Sequence, residues 1–418
     1  MKSIAVIGGG AAGYFGAIAA TENNPNATVT LFESTNDPLN KVRISGGGRC
    51  NVTHACFEPS ELIEKYPRGS NELRGSFTRF QPKDTIEWFE SRGVKLKTES
   101  DGRMFPITDR SETIIECLQQ SAEHAGVNTR LRTKITTIQN VSDENDHTHF
   151  ELETLSGETV RFDFVLLTTG SSPYGTKLAE SLGHTIIPPV PSLFTFKIKD
   201  PRVQDLAGVS FPDSTARLEI DKHKPFTQSG PILITHWGLS GPAVLKLSAW
   251  AARELHDASY QAALFVNWCD SETEASALTK ISVFKEKFSK RTISANSPVD
   301  IPKRFWARLI ELQGIDAEMT WANITKKQMS VIAQELTASK LAVSGRGIFK
   351  EEFVTCGGVA LKEVDFRTMQ SRIYPGLFFA GEILDIDGVT GGFNFQSAWT
   401  TSWLAGQALR GLCMAADA

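Results

Sequence analysis

Long apolar runs and an excess of one charge are both missing from this chain of 418 residues. A membrane-spanning helix needs about 20 consecutive apolar residues, and the sequence contains no such run. Lys and Arg number 44 against 48 Asp and Glu, which gives a formal net charge of −4. A slightly acidic balance argues against an electrostatic surface for nucleic acid or anionic lipid. We therefore expect a cytoplasmic protein without a membrane or nucleic-acid partner.

Cysteine is scarce, and none of the six cysteines belongs to a C-x-x-C pair. That spacing is typical of dithiol redox centres and structural zinc sites, so the sequence predicts neither. Cys50, His54 and Cys56 lie close together in the chain, but no fourth metal ligand is nearby. We therefore expect no bound metal, and scattered reduced thiols agree with the cytoplasm.

Glycines near the amino terminus form the most informative motif. The run IAVIGGGAAG starts as a buried strand and continues through Gly8, Gly10 and Gly13. This is the G-x-G-x-x-G pattern of a dinucleotide-binding βαβ unit, in which the glycines permit a tight turn, pyrophosphate approach and close helix packing. Glu33 ends the next apolar run, at the distance where an acid accepts ribose hydroxyls. The alternative is an ordinary βαβ unit with a glycine-rich turn.

Strand and helix patterns divide the chain into regions. We predict helices at 13–23, 84–92 and 111–125, and strands at 2–7, 28–32, 134–141, 150–154 and 160–167. The polar segment 140–158 predicts an exposed hairpin, short alternating runs from 194 predict a β-rich region, and 271–336 predicts helices. These patterns predict an α/β fold with a nucleotide-binding domain at 1–193 and 353–418, a β-rich insertion at 194–270 and 337–352, and a helical subdomain at 271–336.

Four further segments carry candidate site residues, each with a structural alternative. The loop SGGGRCN offers Arg49 as a pyrophosphate or flavin partner and Cys50 as a redox thiol or as packing. The turn that ends at Gly170 either passes under a dinucleotide or simply ends a core strand. Arg103 either reaches a flavin or an anionic substrate, or lies in a surface turn. His236 is either an acid–base group or a histidine satisfied within its turn.

The last candidate segment, AGEILDIDGVTGGFNFQ at 380–396, is dense in glycines, acids and amides just before a predicted helix. A helix amino terminus carries a partial positive charge, and this charge favours nearby negative charge by about 0.3–1 kcal/mol. Such a terminus, directed at the pyrimidine edge of a flavin, would stabilise the anionic reduced ring. The sequence therefore points to a flavin site at this second α/β signature.

Together these blocks resemble the YhiN/BaiN-like family of FAD-dependent flavoproteins, relatives of aminoacetone oxidase. The shared blocks lie at 6–13, 44–53, 102–106, 235–243, 354–359 and 376–398, so the resemblance extends from the first strand to the last helix. The run TTGSSPYG departs from the family, which usually carries a double glycine and a longer glycine-rich insertion there. This departure affects the expected substrate side more than FAD binding.

The resemblance implies a Rossmann-like FAD domain made of both chain ends, an inserted β-barrel-like domain and a small helical domain. It also implies a FAD-dependent oxidoreductase that transfers a hydride between the flavin and a small organic substrate, with NAD(P)H as one candidate electron donor. By the same resemblance, FAD contacts fall on Gly8, Gly10, Ala11, Ala12, Gly13, Glu33, Lys41, Arg49, Cys50, Asn51, Gly170, Gly381, Glu382, Asp387, Asn394 and Phe395.

Several alternatives remain open at the level of sequence. The oxidoreductase is either an NAD(P)H-dependent ene-type reductase or an amine oxidase, and a flavin-dependent RNA-modifying protein is the alternative from another class. No second complete G-x-G-x-x-G follows the first, so NAD(P)H would have to bind without a Rossmann domain of its own. Catalytic residues, the substrate and the oligomeric state are not assigned.

Overall fold

The computed structural model describes residues 2–142, 148–269, 272–347 and 354–415. Contacts divide the chain into two compact units: Met1–Pro189 with Val354–Ala418, and Val190–Phe353. The first unit thus contains both ends of the chain. The finer division of the middle into a β-rich domain and a helical subdomain stays a prediction. The polar tip of the predicted hairpin, 143–146, lies outside the described residues.

The first unit is built on a seven-stranded sheet. Its strand order is Val364–Asp365, Gln370–Ser371, Leu377–Phe379, Phe164–Leu167, Ser3–Ile7, Thr28–Phe32 and Asn128–Arg130. The last five strands are parallel, and the first two are antiparallel. Because the carboxyl ends of parallel strands meet at one edge of a sheet, the loops after the four central strands gather there.

The three helices predicted at 13–23, 84–92 and 111–125 are present in the first unit, with ends within two residues of the predicted ones. The helices of this unit are Ala11–Asn23, Asn40–Gly48, Pro59–Leu62, Ser70–Phe77, Pro82–Glu90, Ser111–Ala125, Pro173–Ser181 and Phe393–Ala415, with 3-10 turns at Ile63–Lys65 and Leu361–Glu363. The first and last helices pack closely because their contact residues are small. A Cβ on Gly406 would lie 2.6 Å from the Cβ of Ala19, and Ser402 Oγ donates to the carbonyl of Ala12 at 2.8 Å.

Smaller sheets complete the first unit, and one of them corrects a predicted strand. The sheets are Thr53–His54, Arg103–Pro106 and Leu96–Thr98; and Ile135–Ser142, Thr148–Thr154 and Thr159–Phe162. The strand Ile186–Ser192, in which the first part of this unit ends, pairs with Val354–Val359. The single strand predicted at 160–167 is wrong, because the chain changes sheets at Asp163. The Asp163 carboxylate accepts from Lys2 Nζ at 2.9 Å and from the N–H of Ser3 at 2.7 Å, which fixes the corner.

The second unit contains an eight-stranded sheet. Its order is Ser210–Phe211, Ile232–Thr235, Gly238–Ser240, Phe196–Ile198, Ser339–Arg346, Gln261–Asn267, Thr215–Glu219 and Phe226–Ser229. Each of these neighbouring pairs is antiparallel. The strands expected from the short alternating runs are therefore present in this unit.

Helices of the second unit share one apolar core with its sheet. They are Pro242–Trp250, Ala252–Asp257, Glu274–Lys287, Lys303–Leu312 and Lys326–Ala338, with a 3-10 turn at Trp321–Asn323. The buried Trp268 ring lies 4.5 Å from Phe211 on the sheet and 4.7 Å from Phe305 on a helix. Among the helices of the described residues, none combines the length and the apolar character of a membrane span.

A buried histidine in the first unit makes folding stability depend on pH. His184 Nδ1 lies 3.2 Å from Glu363 Oε2, and its Nε2 lies 3.0 Å from Ser371 Oγ. Burial lowers the pKa of His184 from its ordinary 6.5, and the Glu363 carboxylate only partly opposes this effect. The unfolded chain therefore binds a proton at a higher pH than the folded chain does.

We expect the wild-type protein to lose stability as the pH falls below about 6.5 towards the lower folded-state pKa of His184, with a slope from this residue of at most about 1.4 kcal/mol per pH unit. The stability that neutral His184 contributes is fully present above an unfolded-state pKa of about 6.5 and is lost as the pH falls through the lower folded-state pKa. Melting temperatures of wild type and His184→Gln across this interval provide the measurement. Parallel pH profiles for the two proteins would contradict the assignment.

Candidate cofactor site

A groove of about 350 Å³ opens at the edge of the central sheet in the first unit. Loops after four parallel strands form its walls, together with the start of the last helix. The predicted site residues that line it are Gly8, Gly10, Ala11, Ala12, Glu33, Lys41, Gly170, Glu382, Asn394 and Phe395. The sequence therefore identified residues from distant parts of the chain that the fold brings to one cavity.

The glycine loop has the geometry that its motif predicts. Gly8 has a φ of +112°, and a Cβ there would lie 2.7 Å from the carbonyl oxygen of Thr168. A Cβ on Gly13 would lie 1.8 Å from the carbonyl oxygen of Gly8, so the helix can pack this closely only with glycine. A Cβ on Gly10 would meet nothing within 4 Å. The space beside Gly10 is therefore open to the groove, because Gly10 lines the groove and no protein atom fills that space.

Glu33 is fixed at the groove by its own neighbours. Its Oε2 accepts from the N–H of Gly9 at 2.7 Å, and its Oε1 accepts from the N–H and the hydroxyl of Thr35 at 2.7 and 2.8 Å. A carboxylate offers about four acceptor positions. Within the described residues, Oε2 accepts this one bond, so it is the oxygen with room for a ligand hydroxyl. The structure thus refines the expectation that Glu33 accepts both ribose hydroxyls.

Lys41 and Glu382 form an ion pair on the groove wall. Lys41 Nζ lies 2.6 Å from Glu382 Oε2 and donates to Ser171 Oγ at 3.2 Å. Next to them, Leu39 is buried and has a φ of +61°, a left-handed conformation that is uncommon for a residue other than glycine. Its N–H donates to the carbonyl of Gly9 at 2.9 Å. This strained residue therefore holds the helix Asn40–Gly48 against the glycine loop.

The amino terminus of the helix Phe393–Ala415 also faces the groove, because Asn394 and Phe395 line it. The Asn394 side chain is engaged from both ends: its Oδ1 accepts from the N–H of Gly388 at 2.8 Å, and its Nδ2 donates to the carbonyl of Gly388 at 2.9 Å. The Phe395 ring stacks on Trp399 with centroids 5.7 Å apart. First-turn N–H groups of a helix have no intrahelical partner, so this end is suited to a negatively charged or acceptor group.

Four predicted cofactor residues lie behind the groove lining, where they shape the walls. Gly13 packs on Gly8, as described above. A Cβ on Gly381 would lie 2.7 Å from the Cβ of Ala12. The side-chain amide of Asn51, in the orientation that satisfies its neighbours, accepts from the N–H of Gly392 at 3.0 Å. The Asp387 carboxylate is fully buried against Arg68. Direct FAD contacts by these residues stay predictions.

Arg49 and Cys50 follow a left-handed turn at Gly46, Gly47 and Gly48. The Arg49 guanidinium lies 2.6 Å from Glu99 Oε1 and 4.0 Å from the centre of the Phe105 ring. Cys50 is fully buried with a φ of +61°, and burial raises the pKa of its thiol to about 12. Cys50 is therefore a neutral thiol near pH 7.

The remaining candidates lie elsewhere. Arg103 contacts Asp101 at 2.7 Å and Glu99 at 3.1 Å. His236 is exposed at the tip of a two-residue hairpin in the second unit. In the part of the chain that the structure describes, no group of His, Cys, Asp and Glu side chains is arranged to hold a metal ion.

A second cavity of about 170 Å³ was missed by sequence reasoning. It shares Gly8, Glu33, Thr169 and Ser172 with the groove, and it continues past Glu33 to 133–135 and Tyr174. The groove itself also contains 37–40 and Ser171. These residues carry no motif, and they meet only through tertiary folding, so no sequence signal could have found them.

The sheet, the glycine loop, the acid at the second strand and the groove define a FAD-binding Rossmann-type flavoprotein, an oxidoreductase. Residues 2–408 match the model of the HI0933-like protein Rossmann domain family. The chain belongs to this family, which confirms the predicted resemblance and the predicted FAD cofactor.

Curated relatives match this chain along nearly its whole length. It is 30% identical over 416 residues to the ribosomal RNA dihydrouridine synthase of Escherichia coli, covering 97% of each chain. It is 29% identical over 417 residues to the 3-dehydro-bile acid delta(4,6)-reductase of Clostridium scindens, covering 98% of this chain and 99% of that one.

A solved structure supports the fold alone. The 3-ketosteroid delta1-dehydrogenase of Sterolibacterium denitrificans is similar with a TM-score of 0.51 and 11% identity, covering 99% of this chain and all of that one.

Proposed function

We propose that this protein is a reductase that uses FAD and NAD(P)H to hydrogenate a carbon–carbon double bond conjugated to a carbonyl group in a small organic molecule. The observation that carries the proposal is full-length similarity to a 3-dehydro-bile acid delta(4,6)-reductase. The relative named as a ribosomal RNA dihydrouridine synthase is also named for a reduction. Dihydrouridine forms when hydrogen is added to the ring double bond of uridine that lies beside a carbonyl. The type of bond is thus common to both names, whereas the substrates differ.

The groove supports this cofactor. A diphosphate fits beside Gly10, where the wall has space for it, and the ribose hydroxyl falls to Oε2 of Glu33. The adenine then belongs in the smaller cavity beyond Glu33, and the flavin belongs towards Phe395 at the helix amino terminus. Lys41, at the groove wall beside Glu382, is a cation that could donate a hydrogen bond to the diphosphate.

When bound, FAD supplies hydride chemistry, while the protein supplies orientation and electrostatics. The overall reaction adds one hydride and one proton across the double bond of the substrate. One NAD(P)H is oxidised to NAD(P)⁺, so that atoms and the two electrons balance. The positive end of the helix Phe393–Ala415 favours the reduced, anionic form of the ring. The protein's own role is therefore to bind the dinucleotide and to set the reduction potential of its flavin.

The test is anaerobic mixing of the FAD-loaded protein with NADPH or NADH while the visible flavin band is followed. We expect the pyridine nucleotide to bleach the band, and a 3-oxo-Δ4 steroid or a simpler cyclic enone to restore it. Mass spectrometry should then show a product with two more hydrogens. The saturated ketone of the same skeleton is the control and should leave the band bleached.

Other outcomes separate the alternatives. If NADPH leaves the flavin oxidised while an amine or aminoketone bleaches it, the reductase proposal fails and an amine oxidase is indicated. If uridine in RNA restores the band and the enones do not, the small-molecule proposal fails instead. The net charge of −4 favours the small molecule over RNA.

A further inference from the structure

The loop that precedes the last helix is held by a second segment of the first unit. Residues 65–69 run beside 386–393, and Arg68 and Asp387 form an isolated antiparallel bridge. The N–H of Val389 donates to the carbonyl of Lys65 at 2.8 Å. We call residues 65–69 the clamp segment. It lies outside every motif by which the sequence identifies a nucleotide site.

Two side chains of the clamp segment, Tyr66 and Arg68, form hydrogen bonds with the loop that precedes the last helix. Both Nε and Nη2 of Arg68 donate to the carboxylate of Asp387, which has no exposed surface. The hydroxyl of Tyr66, itself fully buried, donates to the carbonyl of Phe393 at 2.6 Å. A bidentate pair of this kind fixes orientation as well as distance. Arg68 and Tyr66 therefore hold the two ends of the loop 387–393.

Close packing leaves this loop little freedom to move. A Cβ on Gly69 would lie 2.6 Å from Ile386 Cγ1, and a Cβ on Gly388 would lie 3.2 Å from the Tyr66 ring. On the other side, a Cβ on Gly392 would lie 2.6 Å from the carbonyl oxygen of Thr53. The loop is thus enclosed on both sides, and the start of the last helix is placed by it.

We propose that Arg68 and Tyr66 are positioning residues for the flavin. The resemblance assigns Asp387 and Asn394 to FAD contact. In the structure, the Asp387 side chain bonds to Arg68, and the Asn394 side chain bonds to the backbone of Gly388. They hold the loop from behind, so that the N–H groups of the first helical turn remain directed at the groove. The inference rests on the flavin end placed there under the proposed function, but not on the identity of the substrate.

The test compares holoproteins carrying Tyr66→Phe, Arg68→Lys and, as a matched control, Arg202→Lys. Arg202 makes a similar two-bond contact with Asp200 in the second unit. Three readouts are taken without substrate: the midpoint potential of bound FAD, the FAD dissociation constant and the melting temperature of the apoprotein. A failure of the enone assay therefore leaves this test intact.

We expect Tyr66→Phe and Arg68→Lys to move the flavin potential to more negative values, because a loosened helix end stabilises the reduced ring less. FAD affinity should fall about three- to tenfold, the size expected for loss of one hydrogen bond. Arg202→Lys should lower the melting temperature but leave the potential and the affinity unchanged.

An unchanged potential and affinity in folded Tyr66→Phe would overturn the proposal, and so would an equal shift in Arg202→Lys. Because Tyr66→Phe removes one hydroxyl and keeps the ring, this variant tests the proposal even if Arg68→Lys does not fold. Failure of Tyr66→Phe itself to fold would assign the residue to stability and also overturn the proposal.

Discussion

Gly10→Val is expected to weaken FAD binding about 10- to 100-fold while leaving the stability of the apoprotein nearly unchanged. A side chain at position 10 meets nothing within 4 Å in the protein, and the φ of −87° suits any residue. The added methyl groups would instead occupy the space that we propose for the diphosphate beside the main chain. Overpacking of a close contact costs about 1–3 kcal/mol, which gives the expected range. Titration of the apoprotein with FAD, followed by flavin fluorescence, measures it.

Gly75→Val is the control, because position 75 also meets nothing within 4 Å and lies outside the groove lining. It should leave the FAD dissociation constant unchanged. The FAD dissociation constant of Gly10→Ala should lie between those of the wild type and Gly10→Val. If Gly10→Val binds FAD as the wild type does, the diphosphate does not lie at this loop.

Arg68→Met is expected to destabilise the apoprotein by about 3–5 kcal/mol, because it leaves the fully buried Asp387 without its guanidinium partner. The double variant Arg68→Met with Asp387→Leu should recover much of this loss, because removal of both charges removes the desolvation cost as well. Calorimetric unfolding of the three proteins without FAD gives the comparison.

An exposed pair supplies the reference for this effect. Arg161 contacts Glu151 at 2.8 Å with 71% of its side chain exposed, so Arg161→Met should change stability by less than about 1 kcal/mol. Equal losses in Arg68→Met and Arg161→Met would show that burial of the Asp387 charge is not the cause. A double variant no more stable than Arg68→Met would point to lost packing instead.

The nucleotide half of this fold could be predicted because its signals are local. Gly8 and Gly13 must be glycines because neighbouring backbone leaves no room for a Cβ, whereas Gly10 leaves space at the groove; all three appear directly as letters in the sequence. Buried parallel strands such as Ser3–Ile7 and Thr28–Phe32 likewise appear as short runs rich in apolar residues. Glu33 was recognisable because it ends an apolar run at the expected distance after the glycine motif.

What the sequence could not show depends on partners that are remote in the chain. The resemblance assigned Asp387 to cofactor contact, but its carboxylate pairs with Arg68, which is 319 positions away. Asp163 looked like one residue in a continuous strand, because nothing local reveals that Lys2 and Ser3 hold it. The cavity beyond Glu33 exists only where four segments of the chain meet. Such features are set by tertiary contacts and not by periodicity.

The pairing of the first helix with the last has a consequence for synthesis on the ribosome. The face of Ala11–Asn23 that receives Gly406 and Ser402 has no cover until those residues have been translated. The strand Leu377–Phe379, which completes the parallel neighbours of Phe164–Leu167, also emerges late. Domains generally fold in the order of their synthesis, so the inserted unit can fold while the nucleotide-binding unit still lacks its last segment, Val354–Ala418. The nascent chain therefore carries an exposed apolar surface throughout that interval, and chaperone contact during translation is most useful there.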